Sequence, residues 1–121
     1  MTDFTINQFV YLYAMIYGKE IIRNMILNSV KKQDPNAEII LFGSRARSQE
    51  TNDSDWDILI LLNNAEVPRK LEKEFRDELY NIELEIGEPI STFVFSKLDW
   101  EGKHKYTPLY QNIKRDGIIL K

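Results

Sequence analysis

The sequence predicts an α/β (α+β) domain, a small mixed sheet of about three to four strands with helices packed on one side. Three observations predict it. Two short apolar runs, Ile39 to Phe42 and Ile58 to Leu62, are separated by Gly43-Ser44 and a polar stretch. That is the pattern of two buried strands joined by a turn and a short helical segment. Leu71, Phe75, Leu79, Ile82 and Ile86 recur at helical spacing over 69–86, with Lys, Arg and Glu outside. A third apolar run, Ile90 to Phe95, follows Gly87 and Pro89, so strand, helix and strand alternate.

Taken in order, residues 4–17, FTINQFVYLYAMIY, are apolar and aromatic. They lack the basic start and small-residue cleavage site of a signal peptide, and are too short and too tyrosine-rich for a membrane span. A helix packed on the domain is expected there, with a partner-binding or self-association surface as its rival. From Lys19 to Lys32, Ile22, Met25, Ile26 and Val30 return at spacings of three and four, a further helical stretch with Gly18 as the candidate break between the two. Asp34-Pro35-Asn36 turns the chain into the first strand. Asn63-Asn64 and Pro68 mark a loop before the 69–86 helix, which Gly87 and Pro89 end. Residues 96–106 suggest a short helix and a loop. Thr107-Pro108 starts a last helix and Gly117 stops it, leaving Ile118-Ile119-Leu120 to dock on the body.

The chain of 121 residues is expected to be one domain, 1–121, with 1–18 an apolar extension and 38–95 its core. A net charge of −3 and a pI near 5.2 argue against a general binder of nucleic-acid backbone. No cysteine is present and His104 is the only histidine, which excludes disulfides, thiolate sites and multi-histidine zinc sites. Oxygen ligands are plentiful and suit Mg²⁺. With no membrane segment expected, the location read from the sequence is cytoplasmic.

Two carboxylates, Asp55 and Asp57, open the second apolar run. Their i, i+2 spacing on a strand points both side chains to one face, where they can share a divalent cation. Asp53, Asp55 and Asp57 also invite a calcium-loop reading, which fails because Ile58 and Asn64 stand where glycine and glutamate are needed. No P-loop motif occurs.

Gly43-Ser44, ten residues, then Asp55-Trp56-Asp57, within LFGSRARSQETNDSDWDILILL, resembles the signature of the DNA polymerase beta-like nucleotidyltransferase superfamily. The resemblance is to its minimal nucleotidyltransferase (MNT) domains, and it implies the nucleotidyltransferase fold. It also implies that Gly43 and Ser44 hold a nucleoside triphosphate, ATP first, and that Asp55 and Asp57 hold Mg²⁺ and are catalytic. One of Arg45 and Arg47 would reach phosphate, with Arg47 favoured. The implied activity is transfer of a nucleoside monophosphate, AMP from ATP, to a hydroxyl of a protein or other acceptor. The implied setting is the antitoxin of a HEPN/MNT toxin-antitoxin pair. A HEPN-domain partner follows, and a homo-oligomer or an RNA acceptor stays open.

The chemistry fits the letters. Glycine lets backbone approach phosphate closely, while hydroxyl and amide groups hydrogen-bond its oxygens. Two departures stand against it. The family's third acid, on a later strand, has no counterpart in PISTFVFS, where Ser91 and Thr92 occupy the expected place, and Glu83, Glu85 and Glu88 are not secure replacements. Ser48 stands where glycine is common, a milder change if a helix begins there. The alternative is therefore a catalytically weakened nucleotide-binding or partner-binding module. His104 and the Lys97, Lys103, Lys105, Lys114, Arg115 cluster read as structural or solvated; Trp56 reads as core, and Trp100 as core or a stacking surface.

Overall fold

A computed structural model describes residues 5–51 and 54–121, and their side chains except those of 7 and 10–17. Eight elements follow one another: helix α1 (Ile6–Gln33), strands β1 (Glu38–Phe42) and β2 (Trp56–Leu62), helix α2 (Arg69–Ile86), strand β3 (Ile90–Ser96), helices α3 (Lys97–Glu101) and α4 (Pro108–Asp116), and strand β4 (Ile118–Ile119). The four strands form one sheet in the order β3-β2-β1-β4.

The sheet is mixed, as expected. β1 pairs antiparallel with both β2 and β4, while β2 and β3 run parallel. Parallel neighbours need a crossover, and α2 supplies it. Its boundaries are those the apolar period sets, and it ends at Gly87, where φ is +74° and the glycine N–H donates to the Glu83 carbonyl.

β2 lies at the centre, and Ile58 to Leu62 are all buried. A strand covered on both faces reads as a continuous apolar run. On one face Ile26 and Val30 of α1 and Phe75, Leu79 and Ile82 of α2 pack on Ile39, Leu41, Ile58 and Ile60. On the other, Trp100 of α3 and Tyr110 and Ile113 of α4 pack on Ile40, Leu59 and Leu61. The expectation of helices on one side thus holds for the two long helices only. The short α3 and α4 cover the second face, because Leu59 and Leu61 are as apolar as their neighbours and need a partner layer. Trp100, 3% exposed, is core and offers no stacking surface. His104 lies tilted against Phe95 with ring centroids 4.5 Å apart.

Gly18 does not break the first helix; α1 runs through it from a Thr5 capping box to Gln33. A glycine inside a helix costs only about 1 kcal/mol relative to alanine, which a long helix tolerates. The rival reading of 4–17 as a partner-binding surface falls largely on side chains outside the described residues. Among the described residues, no helix is long and apolar enough to cross a membrane.

Candidate functional site

The long connection from β1 to β2 carries the candidate site. β1 ends at Phe42, opposite Asp57 in the β1–β2 register, and Gly43 follows with φ +76°. A Cβ on Gly43 would stand 2.1 Å from the Asp57 Oδ2 atom. Glycine is therefore required twice here, by the backbone angle and by the carboxylate lying against it.

Past Gly43 the chain makes one helical turn, with Arg47 N–H donating to the Gly43 carbonyl at 3.2 Å. The turn closes at Ser48, φ +56°, where Gln49 N–H reaches back to the Ser44 carbonyl at 2.9 Å. That six-residue closure around a left-handed residue is how helices commonly end. The expected short helix is thus a single turn. Ser48 is not the mild change expected of it, since it takes the left-handed backbone that glycine would take without strain.

Asp55 and Asp57 come together as their spacing predicts. Asp55 is exposed and Asp57 half-buried. Burial pushes the Asp57 carboxyl above its usual value and the Asp55 charge adds to the rise, while Arg47 and Arg45 oppose it. In the parallel β2–β3 register Asp57 faces Ser91 and Ile58 faces Thr92. Ser91 Oγ donates to Asp55 Oδ2 at 3.2 Å. Thr92 is buried on the alternate face of the strand. Of the two, Ser91 alone therefore stands on the side of Asp55 and Asp57.

Two of the nearby glutamates are engaged elsewhere. Glu83 accepts the Ile90 N–H at 2.7 Å, and Glu88 accepts the Trp56 indole N–H at 2.6 Å. Among the described residues no three acids or imidazoles converge as a metal cluster. Asp53 lies outside the described residues.

The two arginines part company. Arg45 is 6% exposed and turned inward, whereas Arg47 is exposed, with Nε donating to Gln49 Oε1 at 3.2 Å. The hydrogen bond from Arg115 holds the Asp116 carboxyl below its usual value, and the charge of Arg47 adds to the lowering. Ser44 is half-buried in the turn. The part played by Glu88 had no signal in the sequence, where it is one polar residue in a turn.

A nucleotidyltransferase domain model matches residues 23–119. No curated protein matches the sequence. Among solved structures, a toxin-antitoxin crystallised with AMP-PNP is similar, at 19% identity over 82% of this chain and 72% of that one, TM-score 0.60. So is the toxin-antitoxin MntA-HpeT with two aspartates changed to glutamate, at 17% identity over 82% and 72%, TM-score 0.59. A tyrosine-to-alanine mutant of MntA-HpeT matches at 22% identity over 81% and 70%, TM-score 0.57. At these identities the likeness is one of fold.

Proposed function

The chain belongs to the nucleotidyltransferase domain family, and on that premise we propose that it binds a nucleoside triphosphate with Mg²⁺ and transfers AMP from ATP to a hydroxyl. The observation that carries this reading is the Asp57 carboxylate lying against Gly43, with Asp55 two residues away on the same strand face. A tight glycine turn and a pair of acids are then side by side, as binding of a metal-bound triphosphate requires.

The donor set fits a hard divalent cation. Asp55 and Asp57 offer carboxylate oxygens, and an Asp57 carboxyl already raised by burial and by its neighbour's charge is relieved when a cation neutralises the pair. A bound Mg²⁺ supplies charge neutralisation at the triphosphate oxygens. Backbone amides and the Ser44 hydroxyl in the Gly43 turn hold the phosphates, and exposed Arg47 reaches them with its fork. The acceptor oxygen bonds to the α-phosphorus in line as the bond to pyrophosphate breaks; pyrophosphate leaves, and the hydroxyl proton passes to solvent.

The acceptor we assign is a protein. The similar structures are toxin-antitoxins, which supports an antitoxin role opposite a HEPN-domain toxin, with a tyrosine hydroxyl as the acceptor. A second reading has a specific observation behind it. Ser91 in place of an acid, bonded to Asp55, leaves the arriving hydroxyl without the carboxylate that would take its proton. The chain would then be a nucleotide-binding partner module without transfer.

Calorimetric titration of Mg²⁺-ATP, then incubation with α-labelled ATP, a candidate toxin and RNA, tests both. The parent is expected to bind and to label protein, and Asp55→Asn/Asp57→Asn to lose binding while keeping its fold, because acids at a strand mouth are not core. A double mutant that binds as tightly as the parent overturns the site. Binding without labelling, with Ser91→Asp then conferring labelling, establishes the second reading; labelled RNA alone replaces the protein acceptor.

A further inference from the structure

Asp55 stands at an exposed strand mouth, and its one hydrogen bond among the described residues is the long one from Ser91. Its place beside Asp57 therefore depends on the backbone on either side of it. That backbone is gripped from one point. Arg45 donates from Nε and from Nη2 to the Ser54 carbonyl, at 3.1 and 2.8 Å. The same guanidinium lies over the Trp56 ring, 4.4 Å from its centroid. Ser54 and Trp56 are the two neighbours of Asp55.

Glu88 completes the grip from the turn before β3. Its Oε2 atom accepts the Trp56 indole N–H at 2.6 Å and stands 3.6 Å from Arg45 Nη2. The Trp56 backbone N–H donates to the Pro89 carbonyl at 2.9 Å. The cluster thus joins the turn after Gly43, the segment bearing Asp55, and the start of the strand bearing Ser91. Burying a guanidinium costs several kcal/mol unless it is paired and hydrogen-bonded. Here the charge is offset by a carbonyl, an aromatic face and a carboxylate.

Resting on the cation-binding reading above, we propose that Arg45, Trp56 and Glu88 are positioning residues that set the place of Asp55 relative to Asp57 and so the affinity of the site for a divalent cation. The place of Asp57 is held instead by β2 pairing and the Gly43 turn. Partners that orient ligating groups in this way typically change metal affinity by about 10 to 100-fold when removed.

The test uses the full chain, ¹⁵N-labelled, with Mg²⁺ alone as the titrant. The two tryptophans give two indole N–H signals, and Trp100 serves as the internal control. In Arg45→Met and in the isosteric Glu88→Gln, half-saturating Mg²⁺ is expected to rise about tenfold. The Trp56 backbone amide should exchange about tenfold faster, while the amides of 58–62 keep their protection. Arg45→Lys should recover little, because one ammonium does not reproduce a two-donor fork on a single carbonyl. Unchanged Mg²⁺ affinity in both variants, with the Trp56 indole signal shifted, overturns the proposal. A parent that binds no Mg²⁺ overturns the cation reading instead, and unaltered exchange at Trp56 in both variants then overturns the positioning claim by itself. If Arg45→Met does not fold, Glu88→Gln decides.

Discussion

Gly43 and Gly87 share nearly the same φ, +76° and +74°, and differ in what surrounds it. Gly87 ends α2 with its N–H on the Glu83 carbonyl, and a Cβ there would meet nothing within 4 Å. Gly43 turns the chain out of β1, and a Cβ there would meet the Asp57 carboxylate at 2.1 Å. The same angle ends a helix in one place and, in the other, admits an acid to within touching distance of backbone. A glycine demanded only by φ is punctuation. One demanded by φ and by a functional side chain is part of a site. Ser48 is a third case, a left-handed residue that is not glycine at all.

The largest effect that would break or sharpen this contrast is expected from Gly43→Ala. Backbone strain and displacement of Asp57 together should lower unfolding stability by about 2–3 kcal/mol, read by denaturant melts, and Mg²⁺-ATP binding should be lost in calorimetry. Retained binding would show that the closeness of Gly43 and Asp57 is incidental. Next comes Gly87→Ala, expected to cost about 1–2 kcal/mol of strain with parental nucleotide affinity. An equal loss of binding in both variants would erase the distinction. The smallest effect has the opposite sign. Ser48→Gly relieves left-handed strain and adds freedom to the unfolded chain, for a net gain of about 0.5 kcal/mol. A Tm below that of the parent would mean that the serine side chain contributes more than its backbone costs.

Legibility in the sequence followed how local the cause was. The period of Leu71, Phe75, Leu79 and Ile82 marks α2 because one helix face is buried, and that face repeats within the segment itself. The alternation of Asp55, Trp56 and Asp57 places the acids on one side and the tryptophan in the core for an equally local reason. The run through Gly18 was not legible, because the cost of a helical glycine is small beside the tertiary packing of Ile26 and Val30 of α1. Coverage of the second sheet face was not legible either. Trp100, Tyr110 and Ile113 are scattered through short helices whose common target is a pair of strands far back in the chain.

What the sequence by itself determined is the alternation of elements, the glycine turn, and a pair of carboxylates sharing a strand face, all consequences of spacing along one segment. The tertiary structure decided the rest of the site. The parallel register sets Ser91, not Thr92, against Asp57. Packing sends Arg45 inward to Ser54 and Trp56 and leaves Arg47 outside, and chain closure brings Glu88 to the indole of Trp56. Each of these joins residues from different elements, and such contacts depend on how strands and helices are set against one another, which spacing within one segment does not encode.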